Sequence, residues 1–118
     1  MNLKMLKCKI HRATVTRADL HYEGSISIDP ALMREAGIVP YEAIQIWNVT
    51  NGQRLETYVI PGEESSGEIG VNGSAARRVQ VGDLLILAVF CHMDAAEAAQ
   101  YRPKVVFVDE HNRAVAKA

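Results

Sequence analysis

The strongest constraint on this chain is how often its apolar runs are cut by turn-forming pairs. Asn51 with Gly52, Asn72 with Gly73 and Gly82 with Asp83 punctuate stretches rich in Ile, Val and Leu, and Gly and Asn favour such reversals because they tolerate positive φ. Residues 43–49 and 54–60 flank the first pair and read as a β-hairpin. Residues 68–71 form another short strand, after which Asn72 and Gly73 lead into a helical turn over 74–76. Gly82 and Asp83 then open an apolar strand at 84–90. Near the start, Lys7, Lys9 and His11 alternate with Cys8, Ile10 and Arg12 ahead of Ala13, Thr14 and Val15, the pattern of a strand with one polar face. Residues 25–28 and 105–108 are also strand-like, the latter followed by a polar tail. Asp29 and Pro30 look like the cap and first residue of a helix closing at Gly37, and Asp94 caps a second helix running through Gln100. The polar stretch 61–67 is a surface loop. Six or seven short strands with two small helices predict a compact β-barrel.

A length of 118 residues and a mass of 13.0 kDa fit one domain. With 48% hydrophobic and 23% charged residues, the chain is excluded from the disordered class. Thirteen Lys and Arg against fourteen Asp and Glu give a net charge of −1, so no global field draws in nucleic acid or an anionic membrane. The run 84–90 is too short to cross a bilayer, and the lysines near Met1 precede no signal-like apolar segment. A cytoplasmic protein is expected, with no membrane partner. Cys8 and Cys91 lack CxxC spacing and read as reduced thiols rather than a disulfide.

The familiar catalytic templates are absent: there is no phosphate-binding glycine loop, no HExxH and no paired cysteine ligand set. His11, His21, His92 and His111 are too scattered for a metal site. What stands out is His21, Tyr22, Glu23, Gly24 and Ser25, a polar and aromatic approach to a Gly-Ser pair that opens a strand. On these residues alone a plain turn is the simpler reading. The sharper reading holds the Gly24 carbonyl in a strained turn, open to attack by the Ser25 hydroxyl.

Nearly the whole chain resembles the aspartate 1-decarboxylase family, small pyruvoyl-dependent enzymes that make β-alanine for pantothenate and coenzyme A. The resemblance lies in Lys9, Ile10 and His11, in ADLHYEGS ending at Ser25, and in AGI at 36–38. It continues through IWNVTNG ending at Gly52, Thr57 with Tyr58, VNG ending at Gly73 and VGD ending at Asp83. It implies a double-psi β-barrel with two or three short helices and a homotetramer whose sites are shared between neighbouring subunits. It further implies self-cleavage between Gly24 and Ser25, giving a β chain of residues 1–24 and an α chain of residues 25–118. Ser25 would become a covalently bound pyruvoyl group that forms a Schiff base with L-aspartate, with no metal and no PLP. The resemblance admits a maturation factor as a partner for the cleavage.

By the same resemblance Tyr58 is the proton donor, and Lys9 and Arg54 are the cations for the substrate's two carboxylates. Without it, Tyr58 reads as a strand aromatic and both cations as solvated strand residues. Thr57 is implied as a substrate contact that also assists cleavage. Asn72, Gly73, Ser74 and Ala75 are implied as a substrate-contacting turn, in which Ser74 and Arg77 depart from the smaller or less charged residues usual in the family. Trp47 reads as barrel core. The alternative is a non-enzymatic β-barrel that binds DNA or another partner, suggested by Arg77, Arg78 and the strand lysines and opposed by the net charge.

Overall fold

The computed structural model describes residues 1–116. In chain order the strands are β1 (Asn2–Thr14), β2 (Arg17–Asp19), β3 (Ile26–Ile28), β4 (Ala43–Asn48), β5 (Arg54–Pro61), β6 (Ile69–Asn72), β7 (Leu84–Asp94), β8 (Lys104–Val108) and β9 (Ala114–Val115). Two α-helices, α1 (Pro30–Ala36) and α2 (Ala95–Gln100), and a 3₁₀ helix at Gly73–Arg78 complete a mainly β protein. The strand order is β2-β6-β3-β5-β4-β7-β1-β8-β9. Three pairings, β1 with β8, β2 with β6 and β3 with β5, are parallel.

The two sheet positions occupied by β1 and β2 are separated by only Val15 and Thr16. Val15 donates its N–H to the Asp83 carbonyl at 2.9 Å, while Thr16 donates to Ile69 at 2.9 Å and its hydroxyl accepts from the Ile69 N–H at 3.0 Å. One continuous segment therefore pairs with β7 on one side and β6 on the other, which closes the sheet on itself. Closure leaves no unpaired edge along that seam.

The interior is a set of β-branched and leucine side chains on alternate strand positions: Ile10, Ile26, Ile44, Ile46, Ile69 and Leu87 are fully buried. In β1 the alternation that buries Cys8 and Ile10 would carry Arg12 inward next. A bulge between Ile10 and Ala13, with Arg12 at φ +66°, inserts one residue and hands the inward position to Ala13 and Val15. Burial of Cys8 pushes its thiol pKa up to about 11, so it stays protonated at neutral pH.

Asp29 does more than cap α1. Its buried carboxylate accepts N–H bonds from Ala31 (2.9 Å), Ser65 (2.9 Å) and Gly67 (2.9 Å), tying the 61–67 loop to the helix start. Pro30 at the first turn and Gly37 at φ +80° set the helix limits expected from sequence. Asp94 caps α2 through the Glu97 N–H at 2.8 Å.

Three expectations need correction. Among the described residues the strands number nine rather than six or seven, because β2 carries no hydrophobic signal in Arg17, Ala18 and Asp19 and forms only by pairing with β6. The strand at 105–108 is not the last, since Ala114 and Val115 in the polar tail pair with Val108 and Phe107. Trp47 is not in the core: Ile46 and Asn48 occupy the inward positions, so its ring lies half-buried on the outer face under the Arg54 guanidinium, 4.5 Å from the ring centre.

Burial alone would raise the Asp29 carboxyl pKa, but the N–H donors of Gly67, Ala31 and Ser65, helped by the Arg113 charge, outweigh it and hold the pKa below its ordinary value. A lowered carboxylate pKa stabilises the fold above the unfolded value of about 3.9, and that contribution is lost as pH falls through the folded value. Asp29→Asn is expected to cost about 2 kcal/mol in denaturant unfolding at pH 7. The gap between variant and wild type should narrow as pH drops below about 4; a gap of constant size would show that the charge is not what matters.

Candidate active site

Ser25 ends the turn that precedes β3, and Ile26 then pairs with Val59 of β5 and Val71 of β6. The ladder extends one step further, with the Asn72 N–H donating to the Ser25 carbonyl at 3.0 Å. Ser25 is thus buried, at 1% exposure, at the barrel end between β5 and β6. Its backbone adopts φ +90°, a conformation that costs a residue with a Cβ about 1–3 kcal/mol. The strain expected at Gly24 therefore sits one residue later, since Gly24 is not in the left-handed region and a Cβ there would meet nothing within 4 Å.

The glycine that geometry requires is Gly73. It has φ +67°, and a Cβ on it would lie 2.9 Å from Gly24 Cα, 3.0 Å from Gly24 N and 3.2 Å from the Tyr22 carbonyl. The start of the 3₁₀ helix thus presses backbone to backbone on the Gly24 peptide. The Ser25 hydroxyl accepts from Asn72 Nδ2 at 3.3 Å, and the same amide reaches Ser27 Oγ at 3.1 Å. Asn72 is fully buried.

A cleft of about 400 Å³ opens over these groups. Gly24, Ser25, Thr57 and Asn72 line it together with Arg54, Ser74, Ala75 and Arg78. Thr57 reaches it because Leu55, Thr57 and Val59 take the inward positions of β5. Glu56 also borders the cleft, but its carboxylate accepts from Gln45 Nε2 at 2.6 Å. Arg78 donates through Nη1 to Gln53 Oε1 at 3.1 Å. Arg54 and Arg78 thus bring two cationic residues to the lining of the cleft, and a guanidinium pairs with carboxylates through its planar fork.

Of the residues singled out from sequence, Gly24, Ser25, Arg54, Thr57, Asn72, Ser74 and Ala75 line this cleft, and Gly73 packs beneath it. Lys9 and Tyr58 do not line it. Cys8 and Ile10 point inward, so Lys9 points outward, in a row with Ala88, Gln45 and Glu56 across the outer face. Three strand spacings separate Lys9 from Glu56, about 14 Å. Tyr58 shares that face, 41% exposed, with its ring centre 6.4 Å from that of Tyr41. His11, on the same stretch of β1, lies edge-on to Phe107 at 5.6 Å. Its Nδ1 is buried without a partner among the described residues. Burial, then Lys9 and Arg12, lower its pKa. Sequence reasoning missed Ser27 and Arg17, whose hydroxyl and guanidinium meet Asn72; an isolated Ser and Arg in short strands carry no recognisable motif. Among the described residues, no group of three or more His, Cys, Asp or Glu is placed to hold a metal ion.

Fold and cleft together define a closed, mainly β protein with an arginine-lined cleft built over a strained serine. A model of the aspartate decarboxylase family matches residues 1–115, and the chain belongs to that family. The aspartate 1-decarboxylase of Syntrophotalea carbinolica is 61% identical over 112 residues, covering 95% of this chain and 86% of its own. That of Maricaulis maris is 54% identical over 117 residues, with 99% and 97% covered. That of Clostridium novyi is 59% identical over 112 residues, with 95% and 91% covered. Among solved structures, the computationally designed protein msDPBB_sym2 is similar at 20% identity and a TM-score of 0.42, covering 74% of this chain and 96% of that one. No helix among the described residues is long and apolar enough to cross a membrane.

The close approach at Gly73 gives a direct comparison. Gly73→Ala, at positive φ and against Gly24 backbone, should lose more than about 1 kcal/mol of stability, whereas Gly24→Ala, with open space around its new methyl, should lose less. Equal losses in parallel denaturant titrations would remove Gly73 as the support of the Gly24 peptide.

Proposed function

We propose that this chain cuts itself between Gly24 and Ser25 and then decarboxylates L-aspartate to β-alanine and CO2, the reaction that supplies pantothenate synthesis. The observation that carries this reading is Ser25 itself: buried, at φ +90°, with its hydroxyl held by Asn72 beside a glycine peptide that Gly73 supports. In the first step Ser25 Oγ bonds to the Gly24 carbonyl carbon and the Gly24–Ser25 C–N bond breaks. The hydroxyl proton passes through solvent to the released nitrogen, so this N-to-O shift is an isomerisation. Thr57 lines the same cleft as Gly24, and in this reading its hydroxyl stabilises the oxyanion that develops there. Loss of the Ser25 α-proton then expels the Gly24 carboxylate, and water replaces the nitrogen as ammonia, which leaves a pyruvoyl group at position 25.

The position suits that group. A planar pyruvoyl carbon has no Cβ projecting from a chiral centre and no φ, so the strain that Ser25 bears disappears on conversion. Once present, the group supplies a ketone to act as an electron sink for decarboxylation. Arg54 grips a substrate carboxylate in its planar fork, stacked on Trp47 so that its approach is fixed. Backbone groups of Gly73, Ser74 and Ala75 border the substrate.

Lys9 and Tyr58 reach the cleft from a neighbouring copy, which is why they face outward here. This is the shared-site homotetramer, with Lys9 as the second cation and Tyr58 as the proton donor. The reading places the protein in the cytoplasm, with no nucleic-acid or membrane partner.

Intact mass under denaturing conditions tests the cleavage. Purified protein should give residues 1–24 and a C-terminal fragment lighter by one ammonia than simple hydrolysis predicts, whereas Ser25→Ala should stay whole and release no CO2 from aspartate. Cleavage that occurs only with other cell proteins present would assign a maturation factor. The shared site is tested separately. Ser25→Ala and Tyr58→Phe chains, each inactive alone, should regain activity when co-expressed; failure to complement would put both residues in one subunit's site.

A further inference from the structure

We infer that Arg17 is a positioning residue for the Ser25 hydroxyl, acting through Asn72 and Ser27, and that it governs the rate and pH dependence of self-cleavage. The inference rests on the cleavage reading given above. Arg17 stands on β2, on the far side of Asn72 from the cleft. Its Nη2 lies 3.0 Å from Glu68 Oε2, 3.3 Å from Ser27 Oγ and 3.5 Å from Asn72 Oδ1. Gly70 lets it lie there, because a Cβ on Gly70 would fall 2.8 Å from that nitrogen. That one nitrogen is therefore shared among Glu68, Ser27 and, at the longest distance, the fully buried Asn72 amide.

A buried asparagine amide has two orientations of almost equal shape and opposite polarity. With Oδ1 toward Arg17, Nδ2 donates to both Ser25 Oγ and Ser27 Oγ. Turned over, the amide would aim its N–H groups at a guanidinium, donor against donor, and offer only an acceptor to Ser25. Arg17 thereby selects the orientation in which the attacking oxygen receives an N–H. That bond favours the deprotonated form of the hydroxyl, and the positive charge behind the amide strengthens it as a donor. The bond-making itself is unchanged: Oγ–C forms, C–N breaks, and the proton travels from oxygen to nitrogen. The other charged groups around Ser25 are Arg54 and Glu56 on β5, Arg78 on the 3₁₀ helix, and Glu23 in the preceding turn. None of these has a hydrogen bond to Asn72 among the described residues.

The test follows cleavage of freshly refolded full-length chain by intact mass across pH 6 to 10, for wild type, Arg17→Gln, Arg17→Lys and Ser27→Ala. Arg17→Gln should slow cleavage at neutral pH about tenfold and move the rising limb of its pH profile upward, so that the deficit shrinks in alkali. Arg17→Lys, which keeps a cation, should restore most of the rate. Ser27→Ala leaves the Arg17–Glu68 pair in place, and it serves if Arg17→Gln fails to fold. It should slow cleavage less, and the double variant should be no slower than Arg17→Gln alone. A wild-type rate and profile for Arg17→Gln, or a uniform slowing at every pH without rescue by Lys, would overturn the role. A wild-type chain that stays whole even with other cell proteins present would overturn the cleavage reading and this inference with it.

Discussion

The structure depends on one handover. At Val15 and Thr16 a single segment leaves its pairing with β7 and takes up pairing with β6, through N–H bonds to the carbonyls of Asp83 and Ile69. The bulge at Arg12 makes this work, because it corrects the phase of β1 just before the seam and delivers Ala13 and Val15 inward. Without the handover β2 has no partner and β6 loses a neighbour. The turn at residues 20–25 would then no longer be stretched between β2 and β3 across the end of β6.

The cleft is built more from backbone than from side chains. Gly73 is pressed against Gly24, Asn72 holds the Ser25 carbonyl with its own N–H, and the strain at Ser25 persists because both neighbours are fixed. A cost of about 1–3 kcal/mol at one residue is tolerable only where packing elsewhere exceeds it. Ile26 and Ile28, immediately following, are completely buried, so the strained residue is anchored directly to the core. Side chains then add the chemistry, since Arg54 and Arg78 line the cleft along with Ser25, Thr57 and Ser74.

Much of this was legible in the residues. Asn51-Gly52, Asp29-Pro30 and Gly37 act locally, so their hairpin and helix limits could be read directly. The motifs around Ser25, Thr57 and Asn72 pointed to one cleft, and the chain does bring those three together. What could not be read depends on contacts between distant segments. β2 exists only because β6 lies beside it, and β9 only because β8 does. The strain falls on Ser25 rather than Gly24, in a segment packed against Gly73, which lies 49 positions after Gly24 in the chain. Trp47 looked like core material by its size, yet the parity of β4 turned it outward. Lys9 and Tyr58 lie on the outer face through strand parity, and they stand beyond the reach of the cleft that Arg54 and Glu56 of that face still border.

Residues 1–24 hold β1, which lies between β7 and β8, and β2, which pairs with β6. Under the proposed cleavage all of those partners belong to the other fragment. The break therefore leaves a native state with interlocked pieces but removes the tether that assembled them. Folding before the cut is a one-body process; regaining the fold after it is a two-body search whose success depends on concentration. The mature protein would keep its shape as an inheritance from its precursor, held by the slowness of unfolding rather than by easy return.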